Sequence, residues 1–231
     1  MINKSSIPNL FTFANLFCGF LSLGLSADGE FKNAAILVII GMIFDSLDGR
    51  MARILKVSSE MGIELDSLAD VITFGVAPAM LTYHIWFKEF GIVGLMFSGL
   101  FPLFGAYRLA RFNITASKKS VSYFTGVPIT AAGGAVTLLV LLHKWIPGLI
   151  VGIVLVGLGL LMISKIKIPS FKNVNLLKSG TIITILMICS TYVVITTQHK
   201  HFPYLIFVAI PLYLIFVFYQ VMRKRNVKRI R

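Results

Sequence analysis

Long apolar runs separated by short polar breaks dominate this chain. Eight of them reach or approach the ~20 residues that a helix needs to cross a bilayer core. They lie near 7–27, 32–55, 61–87, 90–112, 126–143, 146–164, 178–197 and 202–222. The pattern predicts an all-α fold, a polytopic membrane helix bundle of about eight transmembrane helices built as one integral membrane domain over residues 1–231. Two sizeable loops interrupt it, a polar one at 115–123 and a basic one at 165–178. Pro78 falls inside the third run, where its missing N–H predicts a freed carbonyl and a bend.

Composition agrees with that reading, since charged residues make up only 13% of the chain against roughly 25% in a soluble domain. The net charge of +13 would suit a nucleic-acid binder, but its placement excludes that partner. If the runs alternate across the bilayer, eighteen of the 22 lysines and arginines fall on one side and only Lys32, Lys88, Lys144 and Lys200 on the other. This asymmetry predicts a multi-pass protein of the cell membrane with both termini cytoplasmic, and with basic loops that attract anionic membrane lipids. Cys18 and Cys189 sit within apolar runs at no metal or redox spacing and read as small buried residues.

All nine acidic residues lie within the first 89 positions. Asp45 and Asp48 are spaced i, i+3, and Asp66 and Asp70 i, i+4, so each pair projects from one helical face inside an apolar run. An ionised carboxylate there costs at least ~2.5 kcal/mol on insertion scales and therefore points to function. A hairpin between 56 and 61 would bring the pairs to similar depth, ~12 Å from its turn for Asp48 and ~14 Å for Asp70. Four converging carboxylates need cations, and hard oxygen ligands favour Mg²⁺, Mn²⁺ or Ca²⁺ in a two-metal site. The alternative is simple pairing of each aspartate with a basic residue such as Arg50 or Arg53, which would leave acid in surplus. Gly49 lets a ligand approach the helix backbone, Ala52 keeps the groove shallow, and Arg53 offers a guanidinium fork for phosphate. Together these predict phosphoryl chemistry in a site between helices at the cytoplasmic side.

Asp45, Asp48, Gly49, Ala52, Arg53, Gly62, Asp66 and Asp70 match the pattern D-x-x-D-G-x-x-A-R-x8-G-x3-D-x3-D at every fixed position. By this motif, at 45–70, the chain resembles the CDP-alcohol phosphotransferase family. The resemblance implies that the four aspartates hold two divalent cations and that Asp70 is also the catalytic base. It implies further that Gly49, Ala52, Arg53 and Gly62 meet the CDP moiety, and that the protein is a membrane homodimer. Ile7-Pro8-Asn9-Leu10 with Asn15, Phe74-Gly75-Val76-Ala77-Pro78-Ala79, and Arg108-Leu109-Ala110-Arg111-Phe112-Asn113 resemble the phosphatidylserine synthase branch of that family. The substrates so implied are CDP-diacylglycerol and L-serine. Residues 7–128 would then form the catalytic helices, and 129–231 scaffold helices with a basic tail.

Serine brings a carboxylate and an ammonium as well as its hydroxyl, so its site needs a cation near the metals. Arg108 and Arg111 end the fourth run with Asn113 beside them, which makes the three candidate serine ligands, although arginines there also suit snorkelling to headgroups. Asn9, Thr12 and Asn15 form a polar stripe on the first helix, and for Asn15 a nucleotide contact and a helix contact are equally open. Two other readings remain: the same chemistry with glycerol 3-phosphate or inositol as acceptor, and a cation or proton transporter.

Overall fold

The structure is a computed structural model and describes residues 6–57, 59–116, 123–165 and 167–169. The seventh and eighth expected helices, Cys189 and the basic tail lie outside these described residues. The described helices belong to one compact unit within residues 1–168. They are α1 (Ser6–Ala27), α2 (Phe31–Leu55), α3 (Glu60–Asp70), α4 (Ala77–Thr82), α5 (Gly91–Ala116), α6 (Ile129–Leu141) and α7 (Gly148–Ile163). Two short strands, β1 (Tyr123–Thr125) and β2 (Lys167–Pro169), pair with each other.

The outer surface carries many large apolar side chains, and between the helices small and polar residues are buried among apolar ones such as Phe74, Leu81 and Phe101. On α1 the buried side is Pro8, Thr12, Asn15, Cys18, Gly19, Ser22 and Ser26, one residue per turn of a 3.6 repeat. The opposite side exposes Leu10, Phe13, Phe17 and Phe20, with Phe20 64% accessible. Without a hydrophobic drive between helices in lipid, close approach of small residues does the packing. Gly19 of α1 and Gly41 of α2 both leave no room for a Cβ beside Thr73, whose hydroxyl donates to the Asn15 carbonyl at 2.9 Å. Ser6–Ala27 and the stretch Glu60–Thr115 are each long and apolar enough to cross a membrane. The second has 56 residues, ~84 Å if straight, more than twice a hydrocarbon core. It folds back instead, through one 3-10 turn at Lys88–Phe90 and Gly91 at φ +54°.

Between α3 and α4 the helix widens into a π turn over Val71–Val76. Pro78 cannot offer an N–H to Phe74, so the regular ladder fails there, and the Ala77 N–H reaches five residues back to Ile72 instead of four. The expected break at Pro78 is thus absorbed by the turn ahead of it. Gly133 of α6 covers the same place so closely that a Cβ would strike the Phe74 carbonyl.

Candidate active site

The turn that joins α2 to α3 is built for tightness. Lys56 takes the left-handed conformation at φ 52°, and the Val57 N–H returns to the Ala52 carbonyl at 3.0 Å, closing the helix end. Ser59 then starts α3 by accepting the Gly62 N–H on its hydroxyl at 3.0 Å, with Glu60 in the first turn where its charge suits the helix dipole. The two helices lead away from this turn, each packed against α1, and the carboxylates meet.

One oxygen each from Asp45, Asp48 and Asp66 lies within 4.8 Å of the others. Asp70, buried at the last position of α3, brings its carboxyl within hydrogen-bonding reach of Asp45. Asp66 Oδ1 and Asp70 Oδ1 are buried without a hydrogen-bond partner. No lysine or arginine among the described residues forms an ion pair with any of the four. Arg53 instead donates its Nε–H to the Gly49 carbonyl at 2.8 Å, which sets aside simple pairing with that arginine. Converging hard oxygens, orphaned and uncompensated, are the donor set of a divalent cation. The cluster of Asp45, Asp48 and Asp66 fits a metal, and Asp70 lies beside it.

The sequence reading missed the role of one neighbour. Thr12 Oγ1 of α1 lies 2.9 Å from Asp48 Oδ2 and 3.3 Å from the Pro8 carbonyl. A hydroxyl has one proton, and the shorter, charge-assisted bond takes it. In the sequence Thr12 is only part of a polar stripe; the burial of both partners is what makes it a support for Asp48.

A cleft opens beside the carboxylates, walled by Thr12, Gly49, Ala52 and Gly62 together with Asp48 and Asp66. No atom lies within 4 Å of where a Gly49 Cβ would be, so a ligand can lie against the backbone there. Gly62 is tight, since a Cβ would come 2.9 Å from Ser59 Oγ. Three of the four residues expected at CDP therefore share this cleft, and the exposed Arg53 stands at the end of α2. Asn15 is fully buried, both amide atoms lack partners, and its Oδ1 sits beside Gly41. It lies between helices and does not line the cleft.

The three candidate serine ligands on α5 separate. Arg108 is buried, its Nε has no partner, and its charge is close enough to act on Asp70; its guanidinium lies 5.3 Å from the Phe112 ring centre. Arg111 turns the other way. Its guanidinium donates to the carbonyls of Ile163 at 2.7 Å, Ser164 at 3.1 Å and Met162 at 3.3 Å. These are carbonyls that a helix end leaves unsatisfied, so Arg111 caps α7. Asn113 donates to Ser67 Oγ at 3.0 Å and approaches both Glu64 oxygens, at 3.4 and 3.5 Å.

The sequence profile of the CDP-alcohol phosphatidyltransferase family matches residues 5–163. Among curated proteins, CDP-diacylglycerol--serine O-phosphatidyltransferase of Helicobacter pylori strain J99 is 44% identical over 175 residues, 73% of each chain. The Bacillus subtilis protein of the same name is 39% identical over 167 residues, 72% of this chain and 92% of that one. Archaetidylserine synthase of Methanothermobacter thermautotrophicus is 37% identical over 169 residues, 71% of this chain and 70% of that one. With the motif, its folded geometry and these relatives in agreement, the chain belongs to the CDP-alcohol phosphatidyltransferase family.

Proposed function

We infer that the chain transfers the phosphatidyl group of CDP-diacylglycerol to the hydroxyl of L-serine, giving phosphatidylserine and CMP. The observation that carries the chemistry is the convergence of Asp45, Asp48 and Asp66 within 4.8 Å beside a backbone-lined cleft. The acceptor rests on the names of the relatives, which are serine enzymes.

Asp45, Asp48, Asp66 and Asp70 would hold two divalent cations, Mg²⁺ or Mn²⁺, which supply charge neutralisation for the diphosphate. Gly49, Ala52 and Gly62 seat the nucleotide by leaving its path clear. Arg53 at the mouth gives a guanidinium to the phosphate oxygens. Asp70 takes the proton from serine Oγ as that oxygen bonds to the β-phosphorus and the bond to the CMP oxygen breaks. Arg108 meets the serine carboxylate, since a buried guanidinium with an unpartnered Nε needs an anion. The protein works as a homodimer in the cell membrane, with the site and both termini cytoplasmic. Residues 7–128 carry the reaction and 129–231 frame it.

The test is CMP release by the purified protein with CDP-diacylglycerol and Mg²⁺ or Mn²⁺, offered serine, glycerol 3-phosphate or inositol in turn. Serine-dependent CMP with an amino-bearing lipid product is expected. Preference for another acceptor overturns the serine reading, and no CMP with any acceptor returns the aspartates to the transporter reading.

A further inference from the structure

We infer that Asn15 is a positioning residue of the metal cluster: its buried carboxamide supports Asp45 from α1, as the Thr12 hydroxyl supports Asp48, a role that rests on the metal reading above. The register of α1 against α2 points to it. The two helices are joined by residues 28–30 alone, so they form an antiparallel hairpin in which each step forward along α1 is a step back along α2. Thr12 meets Asp48 at 2.9 Å, which fixes one facing pair. Gly19 and Gly41 fix another, because a Cβ on either would press on Thr73. Three residues inward from the first pair, and four from the second, both counts set Asn15 opposite Asp45. The same register runs on through the bundle. Ser22 and Ser26 are buried on α1, and Val38 and Ala34, which it sets opposite them, are fully buried on α2.

Side-chain direction closes the gap. A helical side chain covers the turn N-terminal to its own Cα, so Asp45 reaches back over Gly41, which puts no side chain in its way. Asn15 Oδ1 is already at that place, 2.9 Å from where a Gly41 Cβ would be. Neighbouring Cβ atoms four residues apart on a helix lie about 6 Å from each other, which puts Asn15 Oδ1 within about 9 Å of Asp45 Cβ. The Asp45 carboxylate leans into that space from one side and the Asn15 carboxamide from the other.

The chemistry of the two groups is complementary. Asn15 is fully buried, and neither its Oδ1 nor its Nδ2 has a hydrogen-bond partner. An amide nitrogen carries two hydrogens to donate, and a carboxylate has lone pairs for both a donor and a cation. Rotation about the last side-chain bond of Asn15 turns Nδ2 toward Asp45, and this torsion is soft. The bond so made holds one Asp45 oxygen and leaves the other aimed at the cation. Helix α1 carries no acid of its own, yet it then supplies one donor to each aspartate of α2.

The experiment titrates the full-length purified protein with Mn²⁺ alone, reading free ion by electron paramagnetic resonance, and records the thermal midpoint of the metal-free protein. Asn15→Leu keeps the size of the side chain and removes both polar atoms. The Mn²⁺ Kd is expected to rise about 10- to 100-fold, the scale for a partner that orients a metal ligand. The metal-free midpoint does not fall, because two orphaned polar atoms have left the core. Half-saturation of CMP release by Mn²⁺ rises in step, and the serine KM stays within twofold. Ser22→Ala, which removes a buried hydroxyl from the same face of α1 about two turns away, leaves the Mn²⁺ Kd within threefold. A Kd rise of less than tenfold in Asn15→Leu overturns the proposal. So does a rise of tenfold or more in Ser22→Ala, or a metal-free midpoint of Asn15→Leu below that of wild type, which would mark lost packing. If Asn15→Leu does not accumulate, the Mn²⁺ Kd of Asn15→Ala decides by the same tenfold criterion. Failure of wild type itself to bind Mn²⁺ is a separate result that removes the metal reading beneath the proposal.

Discussion

Replacing Thr12 by valine removes one hydroxyl and keeps the branched shape, so the packing of α1 against α2 is preserved while Asp48 loses its donor. The bond at stake is 2.9 Å long, buried at both ends, and runs to a carboxylate. A hydrogen bond to a charged group contributes about 1.5–3 kcal/mol. At 1.4 kcal/mol per decade this corresponds to about 10- to 150-fold. Part of that is recovered when a cation binds Asp48, so a weakening of metal affinity by about 10- to 100-fold is expected, the usual scale for a partner that orients a ligand. The assay is serine-dependent CMP release titrated with Mg²⁺ or Mn²⁺ at saturating substrates. Thr12→Val should shift half-saturation upward and recover most of its turnover at high metal, while Thr12→Ser, which keeps the hydroxyl, stays near wild type. Half-saturation within twofold of wild type in Thr12→Val would refute the reasoning. A loss that added metal does not recover would move Thr12 to direct contact with the nucleotide.

The carboxylates and the cap give further outcomes. Asp45→Asn, Asp48→Asn and Asp66→Asn should each lose metal-supported turnover, since amides are poor ligands for hard dications; normal activity in all three at ordinary Mg²⁺ would refute the metal cluster. Asp70→Asn should reduce serine-dependent CMP release by ~10² to 10⁴ while retaining part of the affinity for CDP-diacylglycerol, and near-normal turnover would remove Asp70 from the chemistry. Arg111→Ala should lower the thermal midpoint in detergent and leave the ratio of the two substrate KM values unchanged. Arg111→Lys should not restore the midpoint, because one ammonium cannot reproduce a planar fork on three carbonyls; a selective rise in serine KM would restore Arg111 to the acceptor site.

What the sequence made legible was what helical periodicity and burial cost dictate. The spacing of Asp45, Asp48, Asp66 and Asp70, with a turn between them, pointed to converging carboxylates, and the folded chain brings oxygens of Asp45, Asp48 and Asp66 within 4.8 Å of one another. The ends of the first six runs fell within four residues of the observed helical stretches, the largest difference being at the end of α5 and the third run taking in α3, α4 and the turns around them, because apolar runs end where charge begins. Side-chain direction was less accessible. Arg108 and Arg111 are three residues apart on one helix and chemically identical, and only the position of α7 decides that one faces Asp70 and the other a helix end. Pro78 announced a disturbance, but not that the chain would answer it by widening the turn before it.

That widened turn has a consequence for how this enzyme can vary. A residue added to a regular helix rotates everything beyond it by ~100°, whereas a π turn takes one more residue into a wider ring and keeps its two flanks in phase. In the rod from Glu60 to Thr82, the segment Val71–Val76 therefore fixes the phase between the half that carries Asp66 and Asp70 and the half that lies beyond Pro78. A one-residue insertion or deletion in this rod that no wide turn absorbed would leave every motif residue in place along the chain and still rotate the Asp66–Asp70 half by ~100° against the half beyond Pro78. The placement of Asp66 and Asp70 thus depends partly on a turn that contains neither.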